Sequence, residues 1–392
     1  MRELCPALAN KAYFNYGGQG PLPTPALEAI TASWRTIQEL GPFSADVWPF
    51  VERETSRVRA ALAALCGVGS HRLALTENVT SGCVLPLWGL PWQAGDRLLI
   101  GDCEHPGVVA ACRELARREG LEISTLPVLE LCRSTPQADL PAAVLQALDQ
   151  ALSTDTRLVV LSHLLWNTGA LMPIAAVAER LAAHPRRPWL LVDAAQSMGS
   201  IPVQEAAAAA DLYAFTGHKW CCGPEGLGGV ALSERVLEQS QPTLIGWRSL
   251  RHEGRAGSPW HADARRFEVA TSCVPLCSGL ARSLELLAAE GSPAQRLERI
   301  RAGSQRLWQG LQQLDGVRTV LPEPPPAGLV SFTLPLEAAD VHPAAVKRLG
   351  SQGLWIRNLD DPDCLRACTH ITTTSSEVDA LLEALRPLLA SA

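Results

Sequence analysis

The 392-residue chain is poor in lysine. Only Lys11, Lys219 and Lys347 are lysines among its 34 basic residues, so arginine serves as the ordinary solvated cation. Lysine, unlike arginine, can lose its proton and act as an amine nucleophile. Basic runs are also missing. The net charge is -6 and no cationic stretch is dense enough to track a phosphate backbone, which argues against nucleic acid as a partner. No apolar run approaches the ~20 residues that span a bilayer, and the opening MRELCP has no signal-peptide core. A cytosolic location without a membrane partner is therefore expected. The twelve cysteines do not fall into a CxxC…CxxC pattern: Cys221 adjoins Cys222, Cys273 precedes Cys277, and Cys364 precedes Cys368. This excludes a zinc site and leaves mostly free thiols in a reducing compartment. A GxxxxGKS/T loop is absent too, and the glycines near Lys219 follow it instead of preceding it, so a nucleotide-binding reading fails.

What is present fits a folded globular protein. Hydrophobic residues make up 47% and charged residues 19% of the chain. The length suits two to three domains, or one large domain with a smaller one attached. Apolar runs read as strands at Arg97–Gly101, Glu122–Leu126, Arg157–Ser162, Trp189–Asp193, Asp211–Phe215 and Gly228–Leu232. Amphipathic stretches such as Gly107–Glu119 and Pro173–Ala183 lie between them. Continuous apolar strands alternating with helices indicate an α/β protein with a mostly parallel sheet covered on both faces. Ligands of such sheets sit beyond the carboxyl ends of the strands. From about Pro275 the pattern turns helical, through Leu280–Glu290 and Ala294–Leu314. A loop at Leu321–Gly328 then leads into a strand at Leu329–Leu334, a helix at Val341–Gly350, strands at Leu354–Arg357 and Leu365–His370, and a last helix from Ser376. This reads as a smaller α+β unit formed by 281–392 with residues 1–15, beside a large unit over 16–280.

The stretch AFTGHKWCCGPEGLGG, 214–229, places Lys219 just past a strand end, flanked by Tyr213, Phe215 and Trp220. A desolvated lysine there has a lowered pKa and can form a Schiff base. In LVDAAQS, 191–197, an apolar run ends on Asp193, with Gln196 three residues on. A buried acid at a strand end needs a partner. In a Schiff-base enzyme that partner is a pyridinium nitrogen; the lesser alternative for Asp193 taken alone is a cap of the next helix. TENVTSG, 76–82, brings small polar residues into a helix start, which suits a phosphate. His105, in CEHPG, follows another strand end and could stack on an aromatic cofactor.

In this order the segments resemble the class V aminotransferase family of fold-type-I pyridoxal phosphate (PLP) enzymes, which includes cysteine desulfurases, isopenicillin N epimerase and kynureninase. Within it they are most similar to the cyanobacterial-type cystine/cysteine C–S lyases. The matching strings are FNYGGQGPLP (14–23), TENVTSGC (76–83), GDCEHPGVV (101–109), LSHLLWNTGAL (161–171), VDAAQSMGSIPV (192–203), YAFTGHKW (213–220), GWRSL (246–250) and DPDCLRACTH (361–370). The resemblance implies a seven-stranded, mostly parallel sheet in the large domain. It also implies a homodimer with shared sites. Lys219 would hold the cofactor, Asp193 would pair with the ring nitrogen, His105 would stack on the ring, and Gln196 would bond the phenolic oxygen. Asn78, Val79, Thr80, Thr216 and His218 would surround the phosphate, with Thr271 reaching over from a partner subunit. Asn167 stands beside Trp166 where many relatives place an asparagine on the phenolic oxygen. Arg366 would fork the substrate α-carboxylate and Arg357 the distal carboxylate of cystine, with Trp247 and Arg248 lining the pocket.

Three activities follow from the resemblance. One is β-elimination from cystine or cysteine to pyruvate, ammonia and persulfide or sulfide, with sulfur passed to an acceptor protein, as in iron–sulfur cluster supply. The second is a desulfurase that keeps sulfur as a persulfide on a mobile cysteine and makes alanine, or an epimerase-like activity. The third is a non-catalytic cofactor-binding relative. Cys364 is the obvious persulfide candidate, but it lies only two residues before Arg366, on the strand that would fix that arginine.

Overall fold

The computed structural model describes residues 1–335 and 340–389; residues 336–339 and 390–392 of the expected C-terminal unit lie outside the described residues. Two sheets organise the chain. The first contains β2 (Leu73–Thr76), β3 (Arg97–Gly101), β4 (Glu122–Leu126), β5 (Thr156–Val160), β6 (Trp189–Asp193), β7 (Leu212–Thr216) and β8 (Gly228–Leu232), in the order β2-β8-β7-β6-β5-β3-β4. Pairing is parallel from β4 through to β7, and antiparallel where β8 meets β7 and β2. Every residue of β6, β7 and β8 is buried. Alternate side chains enter different cores: Leu190, Val192, Tyr213 and Phe215 pack on one face, Leu191, Leu212, Ala214 and Val230 on the other. That two-sided burial explains why these strands read as unbroken apolar runs.

Two expected strands are displaced. The chain enters β5 at Thr156 and leaves it at Val160, because Leu161 N–H and His163 N–H already reach carbonyls of Leu191 and Asp193 beyond the regular ladder. β7 starts at Leu212, since the Asp211 carboxylate turns back to accept from Leu190 N–H and Ser233 Oγ. β2 has no counterpart among the expected strands. It is four residues long and pairs only with β8.

The second sheet is antiparallel, β12 (Arg357–Asp360), β13 (Asp363–Cys368), β10 (Leu329–Thr333) and β9 (Arg318–Thr319), side by side in that order. Its core receives leucines from the helices Pro293–Leu311, Val341–Gly350 and Ser375–Leu389. A separate parallel pair joins β1 (Ala12–Tyr13) to β11 (Leu354–Trp355). The expected strand Leu354–Arg357 is therefore two pieces that pair with different partners on either side of Ile356. The expected strand Leu365–His370 starts two residues earlier and stops at Cys368, beyond which Thr369 N–H bonds Gly328 O. The helix Val274–Ala289 runs unbroken across the 280/281 position. No helix among the described residues is long and apolar enough to cross a membrane.

Candidate active site

The carboxyl ends of β3, β5, β6 and β7 converge on one region. β6 ends on Asp193, which is 5% exposed. Its Oδ1 accepts from Ala195 N–H at 2.9 Å, and no cation among the described residues is bonded to it. Burial pushes this carboxyl above the usual range, against the pull of the Ala195 N–H, Lys219 and His105.

β7 ends on Thr216 and the chain turns sharply through Gly217, His218 and Lys219. Thr216 Oγ1 and His218 Nδ1 are 2.6 Å apart. The turn is closed by Cys222 N–H on Lys219 O and by Gly223 N–H on Gly217 O. From the N-terminal segment, Gly20 N–H reaches His218 O at 2.8 Å, and a Cβ at Gly20 would lie 2.2 Å from Lys219 O. Only glycine permits that approach. The Lys219 Nζ makes no hydrogen bond or ion pair among the described residues. Burial lowers its pKa to about 8; Arg366 and Arg357 push the same way, Asp193 and Cys368 against it. A substantial neutral fraction near neutral pH makes this amine both nucleophile and base.

Behind Lys219, Trp220 Nε1–H donates to Gln196 Oε1 at 2.9 Å and Gln196 Nε2–H donates to Gly17 O at 2.9 Å. Among the described residues Gln196 Nε2 makes only this one donation. His105 caps the helix Pro106–Glu119, its Nδ1 accepting from Gly107 N–H at 3.2 Å, so the ring is fixed while its exposed side stays open. Its pKa is lowered chiefly by burial, with Asp193 opposing and Lys219, Arg357 and Arg366 adding. Asn78 caps the helix Val79–Leu87 by accepting from Ser81 N–H, which puts Val79 and Thr80 in its first turn. Thr80 lies beside the His105 loop: its Oγ1 is 3.9 Å from where a Gly107 Cβ would be.

Arg366 on β13 is 1% exposed. Its Nη1–H donates to Trp166 O at 2.7 Å, while among the described residues Nε and Nη2 meet no oxygen or nitrogen acceptor and the buried Cys368 thiol lies beside the guanidinium. A Cβ at Gly17 would sit 2.8 Å from Nη2, so glycine there leaves the guanidinium its space. Arg357 on β12 stands directly opposite Arg366 in the ladder and makes no hydrogen bond or ion pair among the described residues. Like charges facing each other across strands are destabilising on their own. Asn167 Oδ1 is buried and unpartnered, its Nδ2–H reaching Asp361 O at 3.5 Å.

Lys219, Asp193, His105, Arg357 and Arg366 lie close enough to act on one another's charge, with Thr216 and His218 in the turn before Lys219 and Gln196 bonded to Trp220 just after it. Two expected residues stand apart within the chain. Thr271 is exposed on the loop before the helix Val274–Ala289. Trp247 packs edge-on to Trp48, 6.2 Å between rings, with the Arg248 guanidinium 4.9 Å over it. Neither bonds to the Lys219 region. Conversely, Glu104 was not singled out by spacing, yet it is buried and ties β3's end to β5's, accepting from Ser162 N–H and Oγ–H, each at 2.7 Å. An acid set between Cys103 and His105, just past an apolar strand, was the available signal. Cys364 is fully buried between two paired strands, and burial raises its thiol to about 12. All twelve cysteines are free and only Cys273 is exposed.

The donor set suits a phosphorylated aromatic aldehyde: an unbonded amine for the aldehyde, a buried acid without a cation for a ring nitrogen, a fixed imidazole, and a capped helix start. The aminotransferase class-V family profile matches residues 51–381. The chain is similar to the cystine C–S lyase C-DES, solved with its reaction product cysteine persulfide: 42% identity, 97% of this chain and 98% of that one, TM-score 0.91. A C-DES mutant with glycine covalently linked to the PLP cofactor superposes at TM-score 0.92 with 41% identity, over 98% of this chain and 99% of that one. The isopenicillin N epimerase of Streptomyces clavuligerus is 30% identical, over 95% of this chain and 94% of its own length. A probable cysteine desulfurase of Pseudomonas aeruginosa is 30% identical, over 79% of this chain and 76% of its own.

Proposed function

This chain belongs to the class-V aminotransferases, PLP-dependent enzymes, and from that premise we propose that it is a C–S lyase acting on L-cystine or L-cysteine. The observation that carries the proposal is the Arg357–Arg366 pair. Two cations stand opposite each other across a ladder with no ion pair to an acid among the described residues, an arrangement that a substrate with two carboxylates would relieve. Cystine is such a substrate.

Bound PLP supplies an electron sink for bonds at the substrate α-carbon. Lys219 would hold the cofactor through its amine and, once free, take the α-proton, a task matched to a pKa of about 8. Asp193 would face the ring nitrogen, its burial making that charge pair strong. His105 would cover the ring. Gln196, with its remaining N–H, and Asn167 would reach the phenolic oxygen. Thr80, the Val79 backbone, Asn78, Thr216 and His218 would hold the phosphate. Arg366 would fix the α-carboxylate, so that the α-hydrogen is presented to Lys219, and Arg357 the distal one. Elimination then breaks the Cβ–S bond; a persulfide leaves more readily than a thiolate because it is the weaker base. The products are pyruvate, ammonia and cysteine persulfide, whose sulfur would pass to an acceptor protein.

The exposed Thr271 loop and the Trp247 region would be completed by a second copy, giving a cytosolic homodimer with shared sites. The buried Cys364 supports elimination over desulfuration, because a persulfide carrier must reach the substrate sulfur and return to an acceptor. Product analysis of the holoenzyme with cystine tests the proposal. Pyruvate, ammonia and sulfane sulfur in equal amounts are expected; alanine with a protein-bound persulfide and no pyruvate would overturn it.

A further inference from the structure

The loop after β5 presents Trp166, a large side chain next to Asn167. Trp166 does two things at once. Its carbonyl receives Arg366 Nη1–H at 2.7 Å, and its ring meets His105 edge-on, centroids 5.5 Å apart at 64°. Its indole Nε1–H is buried with no partner. Buried donors are rarely left unpaired, so each such group calls for an explanation.

The other unpaired donors here are Arg366 Nε and Nη2. Those two nitrogens form one edge of the guanidinium, the edge that can grip a carboxylate bidentately. The remaining nitrogen, Nη1, is anchored to Trp166 itself. Ring and guanidinium are thus joined through one residue, and among the described residues these three N–H donors meet no oxygen or nitrogen acceptor, with only the weakly accepting Cys368 thiol beside the guanidinium. Trp88 and Trp189 also keep unpaired indole N–H groups, but each lies under a guanidinium, Arg118 at 5.0 Å and Arg235 at 3.9 Å, where an anion finds no such set of donors. Trp166 is different: its own carbonyl holds Arg366, whose Nε and Nη2 are unpaired as well, and its ring meets His105.

We infer that the Trp166 indole N–H is a third donor to the substrate α-carboxylate, beside the two from Arg366. A carboxylate has about four lone-pair sites, enough for all three. Trp166 is then a specificity-determining residue: it favours α-amino acids over amines and sets the angle at which the carboxylate is held. The inference rests on the PLP-dependent amino-acid reading above, but not on C–S cleavage.

The test uses holoenzyme and two ligands without a leaving group: glycine, and methylamine, which is glycine without its carboxylate. Binding is read from the change each causes in the visible absorbance of the bound cofactor. In Trp166→Phe, glycine should bind about 10- to 100-fold more weakly, the worth of a hydrogen bond to a charged group, while methylamine affinity is unchanged. Trp166→Gln, which restores an N–H on a shorter arm, should recover part of the glycine affinity and serves if the Phe variant holds cofactor poorly. Unchanged glycine affinity, or equal weakening of both ligands, would overturn the inference; the second result would assign the indole to the cofactor or to packing. A wild-type holoenzyme whose spectrum ignores both ligands would sink the amino-acid reading itself, and this inference with it. Pyruvate formation from cystine can fail without touching the glycine result.

Discussion

Asp193 and Asp211 sit at opposite ends of the central sheet, one closing β6 and the other preceding β7. Both are nearly buried. Asp211 is saturated: it accepts from Leu190 N–H at 3.0 Å, from Ser233 Oγ–H at 2.7 Å, and from Arg235, which also donates to the carbonyls of Arg187 and Pro188 and lies over the Trp189 ring. Asp193 has a single backbone donor. Arginines divide the same way. Arg235 has a carboxylate; Arg366, more deeply buried, has none. At one end the charges are used up in holding the fold, and at the other they are kept in reserve for a ligand. A buried charge without a partner costs stability, so the second arrangement persists only where something else is to be bound.

The contrast is broken most severely by removing the amine. Lys219→Ala should cut product formation by about 1,000-fold or more, with circular dichroism unchanged. Next comes Asp193→Asn, for which a loss of about 100-fold in kcat is expected from the missing charge, again with little loss of stability. Asp211→Asn should do the reverse: melting would register a loss of about 2–3 kcal/mol for a broken, partly buried pair, and kcat would stay within about twofold, because nothing at that corner touches the site. A large kcat loss in Asp211→Asn would end the division proposed between the two ends.

Acid should distinguish the ends more gently. His163 and His370 lie buried behind the site, with burial lowering their pKa to about 4 and about 3. A free histidine titrates near 6.5. The unfolded chain therefore takes up protons that the fold refuses. Stability from these groups is complete above about pH 6.5 and drains away as pH falls towards 4, by up to ~1.4 kcal/mol per pH unit for each. Denaturant midpoints measured across that interval should fall, and less steeply in His163→Asn. The smallest effect is expected from Cys364→Ala: a buried thiol replaced by a methyl, with kcat within about twofold and sulfane sulfur output intact. A loss of sulfur release there would favour a persulfide carrier.

The central sheet was legible because burial on both faces leaves an unbroken apolar run; Trp189–Asp193 and Gly228–Leu232 end where the sequence pattern ends. β2 was not, since four residues at an edge carry too little periodicity. Lys219 and Asp193 could be found because strand ends of parallel sheets are where ligands go. The roles of Trp166 and Gly17 could not. Trp166 matters through its carbonyl and an unpaired N–H, and Gly17 through the room it leaves beside Arg366, and neither property is written in residue type.

Residues 12–20 touch both halves of the molecule: Phe14 O receives Cys368 N–H, Gly17 O receives Gln196 Nε2–H, and the Tyr16 hydroxyl meets Thr372 Oγ1 across 356 positions of sequence. Cys368 and Thr372 stand far along the sequence from this segment, while Gln196 stands midway. Because Arg366 shares its strand with Cys368, and Gly20 bonds the turn that carries Lys219, this one short segment ties the arginine's strand to the lysine's turn.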